Sequence, residues 1–396
     1  MLATQNNCPP CKRSSSALDL LRHRSSAAWL LAVGRCALSE HAAPVPLYDR
    51  RLTPATRVTI LLIVAIAGLF YVKWIPYYHK AFLASANHSI GKSMLMGTAA
   101  QAPAPSWQAA VDYALAYGKA IWQAMVLGLL LGSALQEFAP RAWIARVLGQ
   151  ASFRSMALGG LLAIPGMMCT CCAAPVVIGL RRANASAAAA TAFWLGNTVL
   201  NPAALVFMGF VLGWNWSALR LALGIPLVFG TGYLISRLSG PGDIASLRTQ
   251  LSQAIAESAP ESPSIKGWFA RFARLVIGLI PEYLVLVLIL GATRAWLFPV
   301  AGPALGNDLG WIALMSAVGL LFVIPTAGEV PIVQAMLALG VGAGPAAALM
   351  MTLPPVSLPS LAMAGKVFSI RALAVISLVV LVMGIVAGLL AVLFKF

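Results

Sequence analysis

Apolar stretches of about 20 residues, the length an α-helix needs to cross bilayer hydrocarbon, recur near 56–74, 119–138, 186–212, 217–236, 272–296, 345–365 and 372–394. Only 10% of the 396 residues are charged and 60% are hydrophobic, whereas soluble domains carry roughly 25% and 45–50%. That balance excludes a soluble enzyme and predicts an all-α polytopic membrane protein whose main partner is the lipid bilayer. Trp74, Trp122, Trp214, Trp216 and Trp296 mark several ends of these stretches, as interfacial tryptophans do. The net charge of +16 is scattered between the apolar runs rather than gathered on one face. It fits loops facing an anionic leaflet and predicts no nucleic-acid partner. All four histidines (His23, His41, His79 and His88) precede residue 100, which excludes a histidine relay or histidine metal site in the later spans.

Residues 1–50 hold Lys12, Arg13, Arg22, Arg24 and Arg35 among serines and alanines and read as a disordered cytoplasmic tail. The apolar piece Ala27–Val33 is stopped by Arg35 and follows a long charged region, so it reads as no signal-peptide core; a translation start placed too far upstream explains the segment equally well. Residues 51–118 then form one N-terminal span and an extracytoplasmic loop, 119–236 a first transmembrane repeat, 237–271 a polar linker, and 272–396 a second repeat. Two apolar stretches do not read as ordinary spans: 156–182 carries Pro165 and Pro175, and 311–341 carries Pro325 and Pro331. Proline lacks the backbone donor and crowds the preceding turn, so each stretch is expected to be two short helices around an irregular segment.

Eight Lys/Arg up to Arg57 place the N-terminus inside. If 156–182 dips into the membrane and returns, then Arg181, Arg182 and the basic linker 237–271 also fall inside, and 297–310, without Lys or Arg after position 296, falls outside. The alternative of a full crossing would put these basic segments outside. The two halves also resemble each other: Pro175 and Pro202 stand 27 positions apart, Pro331 and Pro359 stand 28 apart. The expected architecture is two inverted repeats, each with three spans and a proline-broken re-entrant hairpin, plus one extra N-terminal span, in a cell inner membrane.

Cys169, Thr170, Cys171 and Cys172 fall between Pro165 and Pro175. On a continuous helix neighbouring side chains diverge by about 100°, so convergence of three thiols calls for irregular backbone. Thiolates select soft centres, which makes Cys169, Cys171 and Cys172 candidate ligands for a soft metal or another thiophilic solute. Buried cysteines also pack as small hydrophobes. Glu329, between Gly328 and Pro331 in the second break, is a proton-coupling group, a cation ligand, or an acceptor for free backbone N–H groups. Glu137, near Arg141, reads as interfacial; Glu282 reads as a partner for Arg274 or a cavity residue. Asn197 and Asn201, with Thr198 between them, are four positions apart and would share a helix face, binding solute or a neighbouring helix. Gly128-x-x-x-Gly132 and Gly384-x-x-x-Gly388 are packing motifs. Ile90-Gly-Lys-Ser93 lacks the leading glycine of a phosphate loop, and Cys8-Pro-Pro-Cys11 has no surrounding redox fold. No cofactor and no ATP-driven mechanism are expected.

Met168-Cys-Thr-Cys-Cys-Ala-Ala-Pro175, then Gly179-Leu-Arg-Arg182 and an Ala-rich span ending in Asn201-Pro202, resembles the predicted permease family that includes the organoarsenical efflux permeases. Pro325-Thr-Ala-Gly-Glu-Val-Pro331 through Pro359 resembles that family's second repeat. Members carry Cys-Ser-Cys-Gly where this chain has Cys169-Thr-Cys-Cys172. The resemblance spans roughly residues 115–394 and implies a permease for trivalent organoarsenicals. A secondary permease for a thiophilic solute, with protons as coupling ion, is therefore the leading expectation. Against it stand a membrane thiol oxidoreductase, which the absence of any cysteine from the second half disfavours, and a permease for an unrelated solute with packing-only cysteines.

Overall fold

The computed structural model of the chain describes residues 54–91, 104–150, 152–238, 263–297 and 305–396. The expected tail 1–50 and the middle of the linker lie outside the described residues. Every regular element described is a helix. Helix α1 (Pro54–Leu69) passes through a π turn (Phe70–Trp74) into α2 (Ile75–Asn87). The first half then follows as α3 (Trp107–Phe138), α4 (Arg141–Val147), α5 (Phe153–Ala163), α6 (Thr170–Arg182), α7 (Ala187–Val199), α8 (Pro202–Val211) and α9 (Trp214–Leu238). The second half comprises α10 (Ile265–Leu297), α11 (Leu309–Gly319), α12 (Glu329–Ala338), α13 (Ala343–Thr352), α14 (Leu358–Ala364) and α15 (Ile370–Leu393).

Among the described residues six helical segments are long and apolar enough to cross a membrane: Ala55–Asn87, Trp107–Phe138, Ala187–Val211, Trp214–Leu238, Ile265–Thr293 and Ile370–Leu393. The chain is a multi-pass membrane protein. A seventh span expected at 345–365 is instead the pair α13 and α14. Pro354 and Pro355 supply no N–H to continue α13, and Ser357 opens α14 with a capping box closed by Ser360. The first span is also longer than expected, running on past Trp74. Pro76 has no N–H and crowds the preceding turn; just before it the helix widens, Ile75 N–H bonding to Phe70 O. Trp74 is thereby drawn inward, its Nε1 donating to Pro165 O at 2.9 Å.

Both expected breaks are present, with a difference in where they lie. A short 3-10 turn at Ile164–Gly166 ends α5, and irregular backbone follows to Cys169; Leu320–Gly328 separates α11 from α12. Each break contains a non-glycine residue in the left-handed region two positions after its proline, Met167 (φ 46°) and Ala327 (φ 63°). Such backbone costs roughly 1–2 kcal/mol per residue and is held only where surrounding packing demands it. Pro175 and Pro331, expected to bound the irregular segments, sit inside α6 and α12 instead. Pro331 is the third residue of α12, where an N–H would have no helical acceptor anyway, and Pro175 forgoes only its own bond. Serine or asparagine caps start α3, α5, α7, α8 and α15 (Ser106, Ser152, Ser186, Asn201 and Ser369), each accepting from a backbone N–H of the first turn.

The same packing recurs in the two halves: α5, α7 and α9 contact one another, as do α11, α13 and α15. Between halves α3 packs on α10, α9 on α15, α6 on α14 and α8 on α12. Backbone approach is closest where the glycine motifs lie. A Cβ on Gly128 or Gly132 of α3 would overlap the carbonyl oxygens of Cys172 and Pro175 in α6, and Gly384 and Gly388 meet Thr352 and Ile312. Gly132→Ala should therefore push α6 off α3 and cost about 1–3 kcal/mol. Gly118, with nothing within 4 Å of a Cβ, is the control: thermal unfolding in detergent should shift down for Gly132→Ala and not for Gly118→Ala.

Candidate functional site

Cys169 occupies the N-cap of α6 in extended conformation, and Thr170, Cys171 and Cys172 form the helix's first turn. The thiols thus converge at a helix start rather than along an irregular run: the extended cap brings Cys169 back over the residue three positions on. Their Sγ atoms are 2.7 Å (Cys169 to Cys172), 3.1 Å (Cys169 to Cys171) and 3.8 Å (Cys171 to Cys172) apart. All three are buried and reduced. Three sulfurs bound at about 2.3 Å to one centre stand about 3.5–4 Å from each other, so a slight opening of this triangle accommodates a soft ion or a trivalent arsenic atom. The Tyr117 hydroxyl lies 3.1 Å from Cys171 Sγ, with its ring stacked on Tyr113.

Of these residues only Cys169 reaches a small cavity between the two breaks, which has room for about one water molecule. Facing it there are Thr198 and Asn201 from the first half and Thr326, Ala327 and Glu329 from the second. Thr170, Cys171, Cys172 and Asn197 lie behind this lining. Thr170 Oγ1 is 3.4 Å from Ser357 Oγ of the other half. Asn197 accepts from Met168 N at 3.4 Å and donates to Phe193 O, bracing the first break. Asn201 does not continue its helix face, because α7 ends at Val199. It caps α8 through Oδ1, which accepts from Ala203 N and Ala204 N, while its buried Nδ2 has no hydrogen-bond partner.

Glu329 is the first residue of α12 and is ion-paired with Arg220 of α9, both buried to 1% exposure. Arg220 also donates to Thr198 O at 2.6 Å and Val199 O at 3.2 Å, closing the last carbonyls of α7. One guanidinium therefore joins a helix end of the first half to the helix start of the second. The sequence signal for it is a single arginine in an otherwise apolar span. Lys73 has no clearer signal; it is the only buried residue of the π turn and donates to Tyr77 Oη at 3.1 Å and Thr326 Oγ1 at 3.2 Å. Sequence reasoning singled out neither residue. The remaining acids take partners other than those expected. Glu137, one residue from the end of α3, is buried, paired with Arg271 at 2.5 Å and accepting from Ser264 N at 2.9 Å. Glu282 meets Lys366 at 3.1 Å, not Arg274, because α10 packs on α14, next to Lys366.

The family ArsP_1, described as "Predicted permease", matches residues 109–393. The UPF0718 protein YraQ of Escherichia coli (strain K12) is 51% identical over 340 residues, 85% of this chain and 94% of that protein. The UPF0718 protein MJ0584 of Methanocaldococcus jannaschii is 34% identical over 131 residues, 32% of this chain and 36% of that protein. No solved structure matches the chain.

Proposed function

The chain belongs to the predicted permease family that matches residues 109–393, and on that premise we propose that it is a secondary-active permease exporting a thiophilic solute, a trivalent organoarsenical or a soft metal species, across the cell inner membrane. The observation that carries this reading is the cavity between the two breaks, where Cys169 of a three-thiol cluster faces Glu329 and Asn201. A trivalent arsenical R–As(OH)₂ meeting two thiols exchanges two As–O bonds for two As–S bonds and releases two waters, arsenic remaining trivalent. Residues 272–396 contain no cysteine, so a thiol oxidoreductase would lack a redox partner in the second half.

Transport in this reading is alternating access between inverted repeats at 119–236 and 272–396, joined by a cytoplasmic linker at 237–271. Helices of 11 and 13 residues in the first broken segment, and 11 and 10 in the second, span only about 15–20 Å each, too little to cross about 30 Å of hydrocarbon singly. In this reading each of these two pairs returns to its own side, while α13 with α14 completes a crossing of the second half as α7 with α8 does in the first, leaving an odd number of crossings per half. Glu329 is the coupling group: proton uptake by its carboxylate releases Arg220 and frees one half to move against the other.

Everted vesicles loaded by a panel of arsenicals, antimonials and soft metals, with and without a proton gradient, test the activity; uptake that ignores both the panel and the gradient overturns it. For the topology, a cysteine at Asp308 should react with an impermeant maleimide in intact cells and one at Leu238 should not. The reverse labelling would sink the inverted arrangement.

A further inference from the structure

The helix formed by α1, the π turn and α2 lies outside the family match, and the transport reading above does not use it. Its side chains are exposed or half-buried, and the buried ones among the described residues are Lys73 and Ala84. A lipid-facing helix whose deepest long side chain is a lysine reverses the usual order of burial, and an ionised group at that depth is placed there at a cost of a few kcal/mol. The π turn supplies the means, since an extra residue in one turn rotates Lys73 off the lipid face. Its Nζ bonds only to two hydroxyls, those of Tyr77 and Thr326, and among the described residues no carboxylate pairs with it. Neutral hydroxyls solvate a buried ammonium without balancing its charge.

The want of a carboxylate falls at one particular place. Thr326, the acceptor for Lys73, lines the cavity. Asn201 Nδ2, buried and without a partner, belongs to the same lining, and its Oδ1 is occupied by the cap of α8, so the amide has only donors left to offer. Helices α6, α8 and α12 all begin at this cavity, with Cys169, Asn201 and Glu329 at their starts. Three helix N-termini add positive potential there. The one carboxylate of this lining, Glu329, is already matched by Arg220, and the thiols of Cys169 and Cys172, the acidic groups beside Lys73, give up their charge once they bond to a soft centre. Once the thiols are bonded, one positive charge without a counter-ion stands behind Thr326, while one idle amide donor and three helix starts face the same small space.

We infer that the solute held here is an anion, a soft centre taken by the thiols that also bears a negatively charged oxygen group, with Lys73 supplying the balancing charge from behind Thr326 and Asn201 donating directly. This deepens the transport reading and rests on its assignment of the thiols as a soft-ligand site. The N-terminal helix then has a function of its own, completing the site with the lysine.

The test uses the purified full-length protein and two trivalent arsenicals, methylarsonous acid, which is neutral, and its carboxymethyl analogue, which adds one carboxylate; the Lys73 variants separate the effect of that charge from the effect of the added atoms. Arsenic retained in equilibrium dialysis reads the affinities. The wild-type protein is expected to bind the carboxymethyl compound about tenfold or more tightly, as one partly desolvated charge pair supplies. Lys73→Met should lower the affinity for the carboxymethyl compound about tenfold and so abolish the preference, and Lys73→Arg should keep it. Equal affinities in the wild-type protein overturn the inference and leave the soft-solute reading standing. A Lys73→Met variant weakened equally toward both compounds also overturns it, since the lysine would then serve the thiols. Binding of neither compound overturns the soft-solute reading itself, and the inference with it.

Discussion

Arg220→Met should destabilise the protein by about 3–5 kcal/mol and abolish transport, and Glu329→Gln should do nearly the same, because each leaves the opposite charge buried without its partner. The pair is buried to 1% exposure on both sides, so bulk solvent does not replace a lost partner. Arg220→Met carries a second loss, the unpaired carbonyls of Thr198 and Val199. The informative variant is the double one. Arg220→Met with Glu329→Gln removes both charges, so detergent melting temperature should recover most of what either single change loses, apart from the two carbonyls. A purely structural pair predicts that transport recovers alongside stability. A coupling carboxylate predicts a folded, inactive protein, in which solute binding persists and proton-driven movement does not. Recovery of proton-dependent efflux in the double variant would remove Glu329 from the mechanism.

How far these features can be read in the sequence depends on the range over which each is determined. The helix breaks at Pro165 and Pro325 and the glycine motifs are local: one residue type dictates the backbone or the approach distance, so they are readable. The thiol cluster is readable as well, although its geometry is not, because the extended N-cap at Cys169 is decided by the left-handed Met167 before it rather than by the neighbouring prolines. Arg220 is hidden because an apolar window of about 20 residues absorbs one charge, and its partner lies 109 positions away. Glu137 and Arg271, 134 positions apart, are hidden for the same reason. Lys73 is obscured by Pro76, which reads as a helix end and instead accompanies a widened turn. Tertiary pairing of charges carries no periodicity, so such pairs emerge only once the helices are packed.

The largest functional effect is expected from the thiols. Replacing Cys169, Cys171 and Cys172 together, by serine or by alanine, should lower affinity for a soft solute by more than about 100-fold, beyond the 10–100-fold typical of changes that only reorient a ligand. The two replacements differ in what they do to the fold. Serine keeps volume but buries three hydroxyls in place of weakly polar sulfurs, and each one lacking a partner costs about 1–3 kcal/mol. The hydroxyl introduced by Cys171→Ser has the Tyr117 hydroxyl within reach, since Cys171 already stands 3.1 Å from it; the other two have mainly each other. Alanine removes the polar burden and leaves small apolar gaps, so the all-alanine protein should be at least as abundant as the all-serine one. Abundance and efflux measured on both variants separate the possibilities. A ligand site predicts that both fail in efflux whatever their abundance. If the cysteines only fill space, all-alanine protein exports at the wild-type rate per molecule, and the soft-solute reading falls. Single changes refine the pattern: Cys169 alone lines the cavity, so Cys169→Ala should cost more than Cys172→Ala, and an equal loss at both positions would mean that solute reaches the back of the cluster.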